Sequence, residues 1–393
     1  MVDETALRGL RVIDMAGVIM GPYACQLLGD LGADVIKIEP PDGDVMRRVH
    51  RREPDGIGAL ALNLNRNKRS VRLDLKTALG KRAALDLVRT ADVLVTNMRP
   101  RALAKLGLTY EDLRADNPAL VYCNAQGFRS DSPQANLAAY DEVVQAASGM
   151  VDLMRRTTGR PSYVPTTLAD KVCGLTIVHA VLAALIARGR TGRGQHVEVP
   201  MADTMFAFTL VEHLGGRAHE PPSGPVGFPR SLEPGHEAFR TRDGYACILP
   251  YTHRNAVDFF DHVGHPEVME RFPPEEFQHR IGEIYAAIAE YTPMFSTDEW
   301  ADFCAARSIP FSPVMDLDHA GEHDYWSEGH MLDIAHHPTE GDYRVIGEPV
   351  RFSATPAALR RPCPRLGEHT DEVLAEIGYT PDQLAALHAA TRG

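Results

Sequence analysis

Asp170 stands immediately ahead of an apolar run that begins at Val172. A carboxylate in that place can do two kinds of work. As an N-cap it would satisfy orphan backbone N–H groups at a helix start, and spacing alone favours that role. The positive end of the same helix would also keep it ionised beside N–H donors able to stabilise an oxyanion, the setting of a nucleophile. The two roles are compatible. A second signal is basic: Arg66, Lys68, Arg69 and Arg72, then Arg99, Arg101 and Lys105, fall at strand edges. They read either as solvated strand and loop ends or as a site for a ligand carrying several phosphates.

Other chemistries lack their parts. His262 with His265, and His319 with His323, could each share one helix face, but no Cys, Asp or Glu completes a metal-binding pattern, so no metal site is expected. The first strand-to-helix turn reads Gly17-Val-Ile-Met-Gly21 rather than GxGxxG, which removes the glycines a dinucleotide pyrophosphate needs. A P-loop and a GxSxG elbow are also missing.

Positioning such groups requires a framework, and the N-terminal half supplies one. Arg11–Ala16 predicts a strand, Gly21–Gly32 a helix and Asp34–Glu39 a second strand, a βαβ unit with a parallel pair. Strands follow at Ser70–Leu75, Asp92–Thr96, Ala119–Asn124 and Gln195–Val199. Helices are expected at Ala78–Arg89, near Tyr110, near Asp141–Met154 and at Asp170–Ala187. The result is an α/β protein: a Rossmann-like open parallel sheet in a large domain, with a smaller α+β domain. The large domain is expected to be discontinuous, residues 1–215 with 335–393. Residues 216–235, rich in Pro and Gly, read as a linker and 236–334 as the small domain. An amphipathic helix at Thr370–Ile377 lies in the tail.

A formal charge of −12 argues against nucleic-acid binding, which needs a basic surface. Six cysteines are scattered without a CxxC pair, as in a cytoplasmic protein with reduced thiols. Met1–Gly9 carries charge and no apolar core, so no signal peptide is expected. Val172–Ala187 is shorter than the roughly 20 residues of a membrane span and reads as a buried helix; no membrane partner is expected.

The chain resembles the class III CoA-transferases, the family of formyl-CoA transferase and carnitine CoA-transferase. The resemblance runs through Leu10–Asp14, Gly21-Pro22, Leu31–Glu39, Asn65–Ser70, Ala91–Asn97, Tyr140 with Gln145–Gly149, Ala169-Asp170, Thr191–Gln195 and Leu366–Thr370. It implies that Asp170 is the catalytic aspartate. It also implies that Lys68, Asn97, Met98, Lys105, Ile19, Arg69 and Tyr140 lie along the coenzyme A site. Coenzyme A and acyl-CoA would be substrates, with no permanently bound cofactor. Partners would be an acyl-CoA, a carboxylic acid and a second copy of the chain in an interlinked homodimer.

Ile19 and Ala138 depart from formyl-CoA transferase, which has glutamine and lysine there, and its glycine-rich flap is missing after Gly215; the chain is closer to the shorter, carnitine-type members. Two alternatives stay open. The 2-methylacyl-CoA racemases of the same superfamily use a histidine in a GHD-type motif, where this chain has Asn136-Leu-Ala-Ala-Tyr140, with no histidine between His50 and His179. The other is a CoA-binding regulator without activity. The oxyanion donors would be backbone N–H groups near Gln145–Gly149 or at the Asp170 helix start.

Overall fold

The computed structural model describes residues 5–392, and in it strands and helices alternate through the N-terminal half. Residues 1–4, the start of the stretch expected to hold no leader, and Gly393 lie outside the described residues. In chain order the elements are β1 (Arg11–Met15), α1 (Met20–Asp30), β2 (Asp34–Glu39), α2 (Ala59–Leu64), β3 (Lys68–Arg72), α3 (Ala78–Arg89), β4 (Val93–Thr96), α4 (Pro100–Leu106), α5 (Tyr110–Leu113), β5 (Val121–Gln126), α6 (Asp141–Ala147), α7 (Met150–Thr158), α8 (Leu168–Thr191), β6 (His196–Pro200) and α9 (Met201–His213).

All six strands run parallel, in the order β3-β2-β1-β4-β5-β6. This is the doubly wound order. Its connections part between β1 and β4, and the crevice beyond their carboxyl ends is where such sheets receive ligands. Side chains alternate, so each strand feeds two cores. Val12, Val35, Val93, Val121 and Cys123 join Leu28 of α1, Ile177 of α8 and Met205 of α9. Ile13, Ile36, Val71, Leu94 and Tyr122 join Leu87 of α3, Leu103 of α4 and Leu374. Near-continuous apolar strands are what a sheet covered on both faces demands.

Helix α8 is longer than expected and is not wholly buried. It packs one face, including Cys173, Gly174, Ile177 and Val181, and leaves Leu175 and Ile186 at 53% and 60% exposure. By length and composition alone its 24 residues would be long and apolar enough to cross a membrane. A single face packed on a sheet is instead the mark of a layer helix. Gly174 sets its approach to α1, since a Cβ there would stand 2.8 Å from Tyr23 Cδ1 and 3.0 Å from the Met20 carbonyl. The helix expected over Asp141–Met154 is broken in two where Gly149 takes φ +90°.

The edge strand β3 is covered by the returning C-terminal segment. Asn67 N–H donates to the Arg361 carbonyl (2.8 Å), Ser70 N–H to His369 Nδ1 (3.3 Å) and Arg72 N–H to Thr370 Oγ1 (3.0 Å). Edge amides satisfied in this way offer no template for another strand.

Two compact units result. One comprises the chain up to Val151, Tyr163–Thr209 and Asp324 onward; the other comprises Asp152–Ser162 and Leu210–His323. The segment 216–235, expected as a linker, folds inside the second unit. It folds back on itself, with Gly216 N–H bonded to the Pro225 carbonyl and Ser223 N–H to the Gly216 carbonyl. Residues 324–334, expected in the small domain, fall in the first unit. The second unit has a three-stranded antiparallel sheet and an aromatic core that includes Phe259, Phe260, Phe272, Tyr285 and Trp300.

Candidate active site

Two cavities open at the carboxyl ends of the parallel strands. The larger, about 590 Å³, lies beyond β1, β2, β3 and β4 and is lined by Ala16–Val18, Ile38–Val45, Leu73–Lys76, Asn97 and Met98. The smaller, about 180 Å³, lies on the β4–β5 side and is lined by Val18, Met20, Asn97, Arg99, Gln126, Gly127, Ala138–Tyr140, Asp170 and Met201. Val18 and Asn97 belong to both, at the point where the strand order reverses.

Asn97 ties that point together. Its Oδ1 accepts from Gly17 N–H at 3.0 Å and its Nδ2 donates to the Gly17 carbonyl at 2.8 Å, so its amide is occupied by the loop after β1. The next residue, Val18, has φ +70°, a conformation a β-branched side chain rarely adopts. Its N–H lies 3.2 Å from Asp44 Oδ2, which also meets Lys37 Nζ at 3.3 Å. The loop shared by the two cavities is thus strained and anchored from below.

The anchor is a buried ionic network. Asp14 is fully buried; Lys68 Nζ lies 2.9 Å from it and Lys37 Nζ 3.6 Å. Burial alone would raise the Asp14 pKa, but Lys37, Lys68 and the Ala16 N–H hold it below its usual value. Lys68 also donates to the Pro22 carbonyl (2.8 Å) and to Asn65 Oδ1 (3.1 Å). With its three protons used and no exposed surface, Lys68 does not reach either cavity. Arg69 is likewise committed, to Asp34, Glu372 and Glu376. Both residues open β3, whereas the cavities lie past the closing ends of the strands. These two residues, expected along the ligand site, line neither cavity.

The other expected residues are nearer. Met98 lines the large cavity, and Tyr140, 65% exposed, lines the small one. Ile19 forms the N-cap of α1 between two lining residues but lines neither cavity. Lys105 is exposed in the last turn of α4, next to Leu106 of the large cavity. Arg66, from the same basic run, is paired with Asp30. Lys76 and Arg99, cations lining the cavities, form no ion pair among the described residues.

Asp170 is not the N-cap. Thr167 holds that position, and Asp170 sits in the first turn of α8, lining the small cavity. The capping work is done by Asp141, whose Oδ1 accepts from Asp170 N–H at 3.0 Å. Gln145, one turn along α6, donates to Asp141 Oδ2 (2.5 Å) and accepts from Val164 N–H (2.9 Å), fixing both elements. Sequence reasoning missed Asp141, although an Asp and a Gln four apart, directly after Tyr140, share a helix face. The Leu168, Asp170 and Lys171 amides are all engaged, so the helix start offers fewer oxyanion donors than expected.

The Asp170 carboxylate makes no hydrogen bond or ion pair among the described residues. Burial, then the nearby Asp141 and Glu142 charges, push its pKa up to about 7, against a smaller opposing effect of Lys171. Like charges and partial desolvation thus outweigh the single cation and work against the ionisation expected of this group. A half-buried carboxylate left without partners, at the edge of a cavity, is poised for proton or covalent chemistry.

His262 is stacked on Phe295 and Phe303, with ring centroids 4.7 and 4.0 Å away. Among the described residues no three His, Cys, Asp or Glu side chains are placed to hold an ion.

The comparisons agree with this architecture. A model of CoA-transferase family III matches residues 7–370. A formyl-CoA:oxalate CoA-transferase from Escherichia coli O6:H1 is 33% identical, the alignment covering 98% of each chain. A CAIB/BAIF family protein from Brucella suis superposes with a TM-score of 0.82 at 30% identity, covering 95% of this chain and 99% of the other. Rv3272 from M. tuberculosis gives 0.81 at 29% identity, covering 94% and 99%.

Proposed function

The chain belongs to CoA-transferase family III, and from that premise we propose that it moves coenzyme A from an acyl-CoA to a carboxylic acid through Asp170. The observation that carries the proposal is that the Asp170 carboxylate, without a partner among the described residues, lines a cavity that shares Val18 and Asn97 with a larger one. The larger cavity is of a size that takes a cofactor-like ligand. In this reading the nucleotide part of CoA occupies it, with Met98 at its wall and Lys76 and Lys105 toward its phosphates. The pantetheine arm passes Val18 and Asn97 to bring the thioester to Asp170.

A carboxylate oxygen of Asp170 attacks the thioester carbonyl and CoA leaves as the thiolate, giving an acyl-aspartyl anhydride. The thiolate attacks the aspartyl carbonyl, expelling the donor acid and leaving an aspartyl-CoA thioester. The acceptor carboxylate attacks that thioester, releasing the thiolate and forming a second anhydride. Attack of the thiolate on the acceptor's acyl carbonyl yields the new acyl-CoA and restores Asp170. Each step exchanges one acyl bond for another, so the activated bond is never surrendered to water.

The curated relatives found are named for formyl and oxalate substrates, whereas Ile19 and Ala138 depart from that type, so the acid pair is left to assay. A homodimer is part of the proposal, supported by apolar side chains left open at Leu175 and Ile186 of α8 and Phe206 and Phe208 of α9. A cytoplasmic location is supported by six free cysteines, five of them buried. The racemase reading has no support from the small cavity, which no histidine lines. Hydroxylamine added during turnover should convert Asp170 to a hydroxamate visible by mass spectrometry. Turnover without that mark would remove Asp170 as the nucleophile.

A further inference from the structure

A third cavity, about 290 Å³, lies among the residues that cover the edge of β3 and shares no lining residue with the two cavities of the candidate active site. It is lined by His337–Thr339, Arg361–Arg365, Glu368 and His369. Its walls are stiff. His337 is buried, its Nε2 bonded to the Cys363 carbonyl (2.7 Å) and its Nδ1 accepting from Thr339 and Glu340 N–H groups (3.2 Å each). Three prolines, Pro338, Pro362 and Pro364, line the rest.

The polar groups facing the space do not satisfy one another. His369 Nδ1 accepts from Ser70 N–H, an amide fixed by the edge strand, so a neutral ring carries its proton on Nε2. That Nε2 stands 2.9 Å from Arg361 Nη1, which can only donate. Two donors therefore meet at the cavity. Protonating the ring does not help, because both nitrogens would then donate; burial and the Arg361 charge also hold the His369 pKa low. Arg361 has no carboxylate partner among the described residues. Glu368, the acid in the lining, accepts from Arg365 N–H at 2.7 Å and lies 3.9 Å from the Arg365 guanidinium. Arg361 is exposed, so water meets its remaining N–H groups where no acceptor of negative charge stands.

We propose that this cavity is an oxyanion site, in which a phosphate or carboxylate group accepts from His369 Nε2–H and from the Arg361 guanidinium together. An oxyanion placed there resolves the donor–donor contact and pairs the unmatched cation. Its binding would tie residues 361–369 more firmly to β3. The inference rests on the C-terminal segment and the Ser70 amide of β3, and does not depend on Asp170 being a nucleophile.

The test titrates inorganic phosphate, and separately acetate and oxalate, into the full-length protein at constant ionic strength, followed by calorimetry and by the thermal midpoint. Phosphate or a carboxylate should bind saturably and raise the midpoint. Arg361→Gln should weaken that binding by about tenfold to a hundredfold, the worth of a charge-assisted hydrogen bond. The Arg361 backbone contacts to Asn67 remain in this variant, so the fold is not at risk. Asp170→Asn should bind the anion as the wild type does, which separates this site from the transfer chemistry. Competition with CoA and with CoA lacking its 3′-phosphate identifies the source. Displacement by CoA alone assigns the group to that phosphate, and no displacement by either assigns a free ion. Absence of saturable binding by any of the three anions, or equal affinity in Arg361→Gln, would overturn the proposal.

Discussion

Asp14 and Asp170 lie on two sides of the loop after β1, and their carboxylates have opposite fates. Asp14 is wholly enclosed but is met by two lysines and a backbone amide, and its pKa falls. Asp170 is only half-buried, yet its carboxylate has no hydrogen bond or ion pair among the described residues and its pKa rises to about 7. Burial depth therefore does not identify the reactive carboxylate. Partnership does: a charge whose lone pairs are all taken is structure, and one left open beside a cavity is chemistry.

Asp170→Asn should make the largest difference, a loss of about 10⁴-fold or more in acyl exchange, as expected for removing a nucleophile. Its thermal midpoint should stay level or rise, since an unpaired, partly desolvated charge is removed. An inactive variant that is also strongly destabilised would mean Asp170 is structural after all.

Lys68→Met inverts that pattern. Removing one partner of a buried ion pair costs about 3–5 kcal/mol, because the Asp14 charge and the Pro22 carbonyl lose their donor. Urea titration should show that loss, while turnover per folded molecule stays near wild type. Should activity collapse with stability unchanged, Lys68 serves the ligand and the structural assignment fails.

The pH dependence sharpens the contrast more finely. Asp170 must be ionised to attack, so kcat/KM should rise tenfold per pH unit below about 7 and level off above it. Asp141→Asn keeps an oxygen for the Asp170 N–H but removes the like charge, and should move that limb to lower pH by about one unit. Stability carries the opposite sign. The folded state holds the Asp170 proton more tightly than the unfolded chain, whose value is near 3.8. Between there and about 7, this group's contribution falls as pH rises. Asp170→Asn should therefore gain on wild type across that window and hold its gain above it. Parallel stability curves would show that the group is not shifted.

Much of this arrangement was legible in the sequence, for identifiable reasons. The parallel sheet could be read because each strand is a short apolar run with a helix period beside it, a local signal. Asp170 could be singled out because it precedes an apolar run. Its partners could not, since Asp141 is 29 positions away in the chain and the carboxylate's lack of a cation is a tertiary fact. The pairing of the basic run at Arg66–Arg72 with Asp30, Asp14 and Asp34 was hidden for the same reason: it is decided by strand register, which charge spacing does not reveal. The 216–235 segment reads as a linker because it is rich in Pro and Gly with few apolar residues, whereas the bonds that fold it back join residues seven and nine positions apart.

The smallest effect is expected at the hinge of the comparison, Val18. With φ +70° its β-branched side chain stores about 1–3 kcal/mol, held by the Asp44 and Asn97 contacts to the loop. Glycine removes that strain but adds about 0.5–1 kcal/mol of unfolded-state freedom. Val18→Gly should therefore be stabilised by about 1 kcal/mol, whereas Val18→Ala keeps the unfavourable backbone angle, loses the side chain's contacts and should be the less stable of the two. The ordering Gly above Ala reverses what an ordinary loop position gives, so urea midpoints for the pair decide the matter by sign alone. In Val18→Gly the loop remains pinned through the Val18 N–H but is freer to move, so the KM for acyl-CoA should rise while kcat changes little. An alanine variant as stable as the glycine one would mean that the ionic network beneath the loop does not hold it in a strained form.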